Sequence, residues 1–229
     1  MRNSEKRYIP GTNPSWGVEL PDEYSNSLVS KDGRNRDDGY NFDERDSETI
    51  PDDELANYAK DQIVYAGLFF DPEEIYSQFP QQRLAHRIRD PHVTTAYRPG
   101  VDKLFLNHLG SDAIIRVVGY GNDGQNEGLL VEIVAAPQII KKTLEEQVIP
   151  DGAGGYKPFP THITLSIAEG AKAVNTRNLK FKRLETPVYF TGIYKFFGKN
   201  GTLISDEDTI REMYKSKPST EEIEDADRP

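Results

Sequence analysis

Short hydrophobic blocks alternate with polar ones between residues 62 and 204, and the spacing within a block indicates its secondary structure. The run QIVYAGLFF at 62–70 is β-branched and aromatic and has the length of a strand, so it predicts a buried strand. The following segment, DPEEIYSQFP at 71–80, predicts a helix, because Asp71 can cap its N-terminus and Pro72 suits its first position.

Further strands and helices are predicted from the spacing of apolar residues, which is two in a strand and about 3.6 in a helix. Strands are predicted where β-branched and aromatic residues recur, at 92–99 and 161–168, and as hairpins at 113–135 and 186–204. Helices are predicted at 137–150, from apolar residues on one face, at 71–80, and at 101–110, where Gly110 ends the helix. Strands and helices on short connections predict an α+β domain, with the helices outside a mostly antiparallel sheet.

The charges separate the chain into three regions. The net charge is -10, but residues 62–204 carry 14 acidic and 16 basic side chains, whereas 1–61 carry 15 and 8, and 205–229 carry 9 and 4. Neither end has a sustained hydrophobic period. We therefore predict an acidic, disordered N-terminal region at 1–61, a folded α+β domain at 62–204, and an acidic tail at 205–229 with a short helix capped by Ser205.

Composition restricts the functional classes. Because cysteine is absent, disulfides, cysteine-ligated zinc and cysteine nucleophiles are excluded. No apolar run approaches the roughly 18 residues that span a bilayer, and no signal-peptide pattern opens the sequence, so we expect a cytoplasmic monomer without a membrane partner. The near-neutral middle region favours a small or short phosphate-bearing ligand over a nucleic-acid duplex, and the acidic tails are candidate docking segments for a protein partner.

Two of the four histidines occur in the same tripeptide frame. Side chains at i and i+2 of a strand share a face, so His92 projects with Thr94 in PHVTT, and His162 projects with Thr164 in THITL. If the two strands lie side by side, these four groups suit a phosphodiester. A neutral imidazole can take a proton from water, an imidazolium can give one to the departing sugar oxygen, and the hydroxyls can bind the non-bridging oxygens.

These four side chains, His92, Thr94, His162 and Thr164, are called the tetrad, and two other interpretations of it are open. Each histidine could be a half-buried strand residue hydrogen bonded to its neighbouring threonine. A two-histidine metal site is the other alternative, but no third histidine or carboxylate lies at a recognisable ligand spacing. The repetition of the frame with an apolar middle residue favours the catalytic interpretation, and we predict no metal.

PHVTT and THITL resemble the paired signature motifs of the two-histidine (2H) phosphoesterases. Residues 62–198, which include VYAGLFF and HITLSIAEGAKAVNT, are similar to the catalytic domain of the 2′,3′-cyclic nucleotide 3′-phosphodiesterases. The resemblance implies a bilobal fold of two pseudo-symmetric, mostly antiparallel sheet lobes with outer helices and the motif strands at a central cleft. The sequence differs from the vertebrate nucleotide phosphodiesterase in two respects. It contains no G-x-x-x-x-G-K-[ST] phosphate-binding motif and no C-terminal cysteine for prenylation.

The resemblance also implies an activity. It is metal-independent hydrolysis of 2′,3′-cyclic phosphates on nucleotides or RNA ends to 2′-phosphates, without a cofactor. His162 would act as the base, His92 as the acid, and Thr94 and Thr164 would hold the phosphate. One alternative keeps the tetrad but degrades cyclic oligonucleotide or 2′–5′-linked signals. An alternative of another class is a non-catalytic nucleotide-binding adaptor.

Additional residues near the motifs are predicted to bind substrate by stacking on a base or contacting phosphate: Tyr97, Arg98, Tyr156, Lys157 and Phe159. For Phe159, inward packing as a loop anchor is an equal alternative. His86, on a predicted helical segment at 83–89, and His108, on the predicted helix at 101–110, lie outside the tripeptide frame, and we interpret both as structural or exposed.

Overall fold

The alternating apolar positions of the predicted strands form one face of an eight-stranded antiparallel sheet. The computed structural model describes residues 50–80 and 83–217. Within that part of the chain, the strands are β1 (Ile63–Phe70), β2 (His86–Arg87), β3 (His92–Tyr97), β4 (Asp112–Asn122), β5 (Asn126–Ala135), β6 (Val148–Pro150), β7 (Tyr156–Pro158), β8 (His162–Ile167), β9 (Lys182–Gly198) and β10 (Leu203–Ile204). The helices are α1 (Asp52–Gln62), α2 (Pro72–Gln78), α3 (Gln138–Glu145) and α4 (Glu207–Lys215).

The sheet has the order β2-β8-β5-β4-β9-β1-β3, with β10 paired to β9, and β6 and β7 form a separate hairpin. Its neighbouring strands are antiparallel throughout. The predicted α+β architecture with a mostly antiparallel sheet is therefore confirmed. A single hydrophobic core contains the fully buried side chains of Ile115, Leu129, Ile163 and Tyr194.

The domain begins before the predicted boundary at residue 62. Helix α1 carries three acidic residues in its first turn, which interact favourably with the helix dipole. It buries Leu55 and Ala59 completely in the core. Residues 52–61 are therefore part of the folded unit, and the predicted disorder of the residues before 50 lies outside the described part of the chain. Helix α4 supplies the predicted C-terminal helix, but Asp206 caps it instead of Ser205, by accepting from the Thr209 amide at 2.8 Å.

Three predictions of local structure are wrong. Segment 101–110 forms two 3-10 turns instead of one helix, because Leu104 adopts an extended conformation that buries its side chain. His86, predicted on a helical segment, lies in β2, which covers part of the outer edge of β8. Helix α3 ends at Glu145 instead of continuing to 150, because the chain turns into the β6–β7 hairpin.

Strand β3 carries a β-bulge directly after its His-x-Thr motif. Thr94 lies opposite Gly67 of β1, and Ala96 lies opposite Ala66, so Thr95 is an extra residue without a partner. Such a bulge increases the local twist of a strand and redirects its side chains.

Strand β8 repeats this arrangement. Thr164 lies opposite Gly128 of β5, and Ser166 lies opposite Glu127, so Leu165 is the extra residue. Burial follows the same order in both strands from the histidine onward, with half-buried, buried, half-buried and then two buried residues. The two motifs therefore occupy equivalent positions in two similarly bulged strand pairs.

Curvature of the sheet brings the two motif strands together. β3 lies at one end of the strand order and β8 next to the other end, yet their residues approach with Cα atoms within 8 Å. An antiparallel sheet that twists and bulges can curl until distant strands meet. In the strand order of the sheet, β3 and β8 are not neighbours. Their approach therefore brings side chains of the two motifs towards each other across the curved sheet.

Two glycines allow each motif strand to pack closely on its paired neighbour, β1 for β3 and β5 for β8. A Cβ atom on Gly67 would lie 2.6 Å from the Val93 carbonyl oxygen, and one on Gly128 would lie 2.7 Å from the Ile163 carbonyl oxygen. Both oxygens belong to the middle residue of a motif, so a side chain at either position would displace the motif backbone. At Gly128 it would also clash with Cγ2 of Thr176.

We predict that Gly67→Ala or Gly128→Ala lowers the free energy of unfolding by about 1–3 kcal/mol through overpacking. Urea denaturation followed by circular dichroism measures the loss. Gly119→Ala in β4 is the matched control, because its Cβ would approach no atom closer than 3.3 Å. Equal effects of all three substitutions would contradict the close-contact explanation.

Candidate active site

The two motif histidines are held in the same way. Both are half-buried, and Nδ1 of His92 lies 2.7 Å from the Asp90 carbonyl oxygen, while Nδ1 of His162 lies 2.7 Å from the Pro160 carbonyl oxygen. A carbonyl oxygen only accepts, so each Nδ1 must carry hydrogen. The hydrogen bonds fix the ring orientation and leave Nε2 of each ring to exchange a proton.

Burial lowers the pKa of both histidines below the ordinary value of 6.5, because desolvation disfavours the imidazolium. For His92, the carbonyl hydrogen bond and the Asp90 carboxylate oppose that effect. For His162, the positive charges of His92 and Arg177 add to it, against the Pro160 hydrogen bond alone. Desolvation is the largest effect on both pKa values, and the nearby charges act in opposite directions: Asp90 favours the charged form of His92, whereas His92 and Arg177 disfavour that of His162.

Aromatic rings surround His92. Its imidazole stacks on Tyr65, with ring centroids 4.6 Å apart, and on Phe69, with centroids 5.0 Å apart. The negative face of an aromatic ring attracts a cation, so this setting can stabilise an imidazolium despite its burial. Desolvation, aided by the Asp90 charge, raises the pKa of Tyr65 to about 12, so the phenol stays neutral.

Thr164 belongs to a buried polar chain. Its hydroxyl lies 3.0 Å from the hydroxyl of Thr176, which in turn accepts from the Asn126 side-chain amide at 3.2 Å. The same amide nitrogen donates to the Lys172 carbonyl oxygen at 2.9 Å. Asn126 and Thr176 are buried almost completely.

This chain holds the Thr164 hydroxyl in place. It donates to the Thr176 hydroxyl, which also accepts from the Asn126 amide. The Ala173 carbonyl oxygen, at 3.5 Å, is a second and weak acceptor for the same hydrogen. A ligand that accepts from Thr164 would have to replace Thr176 as the partner of this hydrogen.

Side chains from outside the motif strands hold both bulges. The carbonyl oxygen of Thr95 accepts from the Gln147 side chain at 2.6 Å. That of Leu165 accepts from the Ile88 amide at 2.9 Å, and the Tyr76 hydroxyl lies 2.8 Å from it and 2.7 Å from the Ile88 carbonyl oxygen. A bulge interrupts the regular ladder, so its carbonyl needs such a partner when it is buried. Tyr76 also receives the Arg87 guanidinium on its ring face, 3.4 Å from the centroid.

The predicted substrate-binding residues divide into two groups. Phe159 packs against the His162 ring, with centroids 5.4 Å apart, and Lys157 lines a pocket next to the motif. Tyr97 and Tyr156 are 64% and 74% exposed, and Arg98, with φ of 44°, places its guanidinium 5.5 Å from the Tyr97 ring centroid. No hydrogen bond or ring contact among the described residues joins Tyr97, Arg98 or Tyr156 to the tetrad.

The other two histidines are placed as interpreted. His86 is exposed and pairs with Glu169 at 2.6 Å, and His108 is half-buried in a 3-10 turn. In residues 50–80 and 83–217, no group of three or more His, Cys, Asp or Glu side chains is arranged to hold a metal ion. Helices long and apolar enough to cross a membrane are also absent from this part of the chain.

Sequence reasoning missed several residues of the site, all distant from the motifs along the chain or in irregular segments: Tyr65, Phe69, Asn126, Thr176 and Arg177. Tyr65 and Phe69 were part of a predicted strand, but only the β1–β3 register places them on His92. No family model matches the chain, and no curated protein is significantly similar to it.

We predict that both motif histidines lose their proton below pH 6.5, the ordinary value for histidine, and that the neutral rings carry hydrogen on Nδ1. Arg177→Gln should raise the pKa of His162 and leave that of His92 nearly unchanged, because it removes a cation close to His162 only. Long-range ¹H–¹⁵N NMR titration measures both properties. Lys199→Gln is the control, and a neutral ring with hydrogen on Nε2 would contradict the assignment.

A second prediction concerns the buried chain. Thr176→Val preserves shape but leaves an Asn126 amide hydrogen unpaired, which should lower the free energy of unfolding by about 1–3 kcal/mol. Urea denaturation tests this, with Thr176→Ser as the matched variant because it retains the hydroxyl. If serine proves as destabilising as valine, the hydroxyl is not the important group.

Proposed function

We propose that this protein is a phosphodiesterase that hydrolyses 2′,3′-cyclic phosphates of nucleotides or RNA ends to 2′-phosphates without a metal ion. The observation that carries the proposal is the equivalence of the two motifs. Two histidines, each fixed by an Nδ1–H bond to a carbonyl oxygen, and two threonines lie on bulged strands that approach within contact distance. Hydrolysis of a cyclic phosphodiester needs one proton acceptor, one proton donor and stabilisation of the phosphoryl oxygens.

In the proposed reaction, Nε2 of neutral His162 removes a proton from water as the water oxygen bonds to phosphorus. The bond between phosphorus and O3′ breaks, and Nε2–H of charged His92 donates its proton to O3′, leaving a 2′-phosphate. The nearby charges and rings support these roles: the Arg177 charge helps to keep His162 neutral, while Asp90, Tyr65 and Phe69 oppose the loss of charge at His92. Water would then carry a proton from His162 to His92, so that His162 is again neutral and His92 is again charged.

The threonines would hold the phosphate. Thr164 would turn its hydrogen from the Thr176 hydroxyl to a non-bridging oxygen, and Thr94 projects from the equivalent position of β3. Hydroxyl donors directed at the phosphoryl oxygens stabilise the negative charge that develops there.

The proposal includes the bilobal arrangement expected for 2H phosphoesterases. One lobe would contain β1, β3 and β9, and the other β4, β5 and β8, each with its motif strand at the cleft. The matching registers of the β1–β3 and β5–β8 pairs, with a glycine opposite each threonine, support this pseudo-symmetry.

We predict that His92→Ala and His162→Ala each lower kcat for a 2′,3′-cyclic nucleotide by about 10²–10⁴-fold, the usual contribution of a general acid or base. Phosphorus NMR would identify the product as a 2′-phosphate, and EDTA should leave the rate unchanged. His86→Ala is the matched control, because His86 is exposed and lies outside the tetrad.

Four outcomes would contradict parts of the proposal. Retained turnover in either motif variant would remove the acid–base assignment, and inhibition by EDTA would indicate a metal. In a substrate panel, preference for cyclic oligonucleotides or 2′–5′-linked substrates would indicate a signal-degrading enzyme. Binding without turnover of any substrate would indicate a nucleotide-binding adaptor.

A further inference from the structure

A basic pocket lies beside the second motif. It has a volume of about 420 Å³ and is bounded by residues 157–160 on one side and 177–180 on the other. Three cationic side chains line it, those of Lys157, Arg177 and Lys180. Among the described residues, none of the three forms a salt bridge, although Lys157 contributes to the lowered pKa of Asp151, which is caused chiefly by backbone hydrogen bonds.

Both walls of the pocket connect directly to the tetrad. On one side, Pro160 lines the pocket and accepts the Nδ1–H of His162. On the other side, Arg177 lines the pocket and follows Thr176, which is hydrogen bonded to Thr164. The Arg177 charge also reaches the His162 imidazole and helps to lower its pKa. The pocket is thus continuous with the β8 half of the site.

The chain concentrates positive charge in this region. Between residues 170 and 184 there are five basic side chains and no acidic one, namely Lys172, Arg177, Lys180, Lys182 and Arg183. The flanking acids are Glu169, which pairs with His86, and Glu185. Uncompensated cations at a concave surface attract a phosphate and increase its local concentration.

We propose that this pocket binds the phosphodiester that precedes the terminal nucleotide of an RNA, so that the substrate is a polynucleotide end and not a free cyclic mononucleotide. This inference rests on the proposed function, which places the cyclic phosphate at the tetrad. The pocket adds a second anion site, and a mononucleotide without a 5′-phosphate has no group to fill it. An RNA end supplies that group one nucleotide away from the cyclic phosphate.

The chemistry of the pocket suits a phosphodiester of any sequence. Lysine and arginine side chains contact phosphate oxygens without reading the base, and the strength of such contacts falls as salt increases. The exposed Tyr156, next to Lys157 on β7, is placed to stack on a base of any type. We therefore expect length dependence without strong sequence preference.

The test compares kcat/KM for a 2′,3′-cyclic mononucleotide, the same nucleotide with a 5′-phosphate, and a tetranucleotide RNA ending in a 2′,3′-cyclic phosphate. The tetranucleotide should be preferred at low salt, and Lys157→Gln with Lys180→Gln should reduce that preference by about tenfold, since each phosphate contact is charge-assisted. Lys60→Gln with Lys215→Gln is the matched control, because it removes equal charge on the exposed surfaces of α1 and α4.

A binding measurement separates this inference from the proposed function. Fluorescence anisotropy follows a labelled tetranucleotide ending in a 2′-phosphate, with the same variants and salt series. If the RNA binds through the two lysines but none of the three cyclic substrates is hydrolysed, the pocket assignment stands and the proposed function fails. Equal kcat/KM for mononucleotide and tetranucleotide, or a 5′-phosphorylated mononucleotide as good as the tetranucleotide, would overturn the inference and leave the proposed function intact.

Discussion

The site depends on the close approach of two glycines to the backbone of the motif strands. Gly67 lies against the Val93 carbonyl and Gly128 against the Ile163 carbonyl, at separations that a methyl group would not allow. Each glycine also faces the threonine of its motif, at the point where the bulge begins. Tight pairing followed by a bulge bends each motif strand, and the bend allows strands from distant positions in the sheet to share one polar surface.

The two halves of the site are equivalent in backbone and different in surroundings. His92 stacks on Tyr65 and Phe69, whereas His162 has Phe159 on its ring and the charge of Arg177 nearby. Aromatic faces favour an imidazolium, and a neighbouring cation disfavours one. Burial lowers the pKa of both histidines, but the charges around them act in opposite directions. A symmetric backbone can therefore hold two identical side chains in different electrostatic surroundings.

The sequence was sufficient to predict most of the sheet and the strand setting of both His-x-Thr motifs, because strand alternation and the repeated tripeptide are local signals. It was insufficient for 86–87 and 101–110, where tertiary packing decided the local conformation. The bulges at Thr95 and Leu165 have no sequence signature, since they arise from pairing with another strand. Arg177 and Thr176 lie in a 3-10 segment whose position depends on the completed fold, so no periodicity could have brought them to His162 and Thr164.

The chain from Asn126 through Thr176 to Thr164 consists of one amide and two hydroxyls, which do not titrate in the range where imidazoles gain and lose protons. The Thr164 hydroxyl, which donates to Thr176, is therefore held in the same way at any pH at which the protein is folded. The charge of the motif histidines changes with pH, while the hydroxyl geometry beside them stays the same.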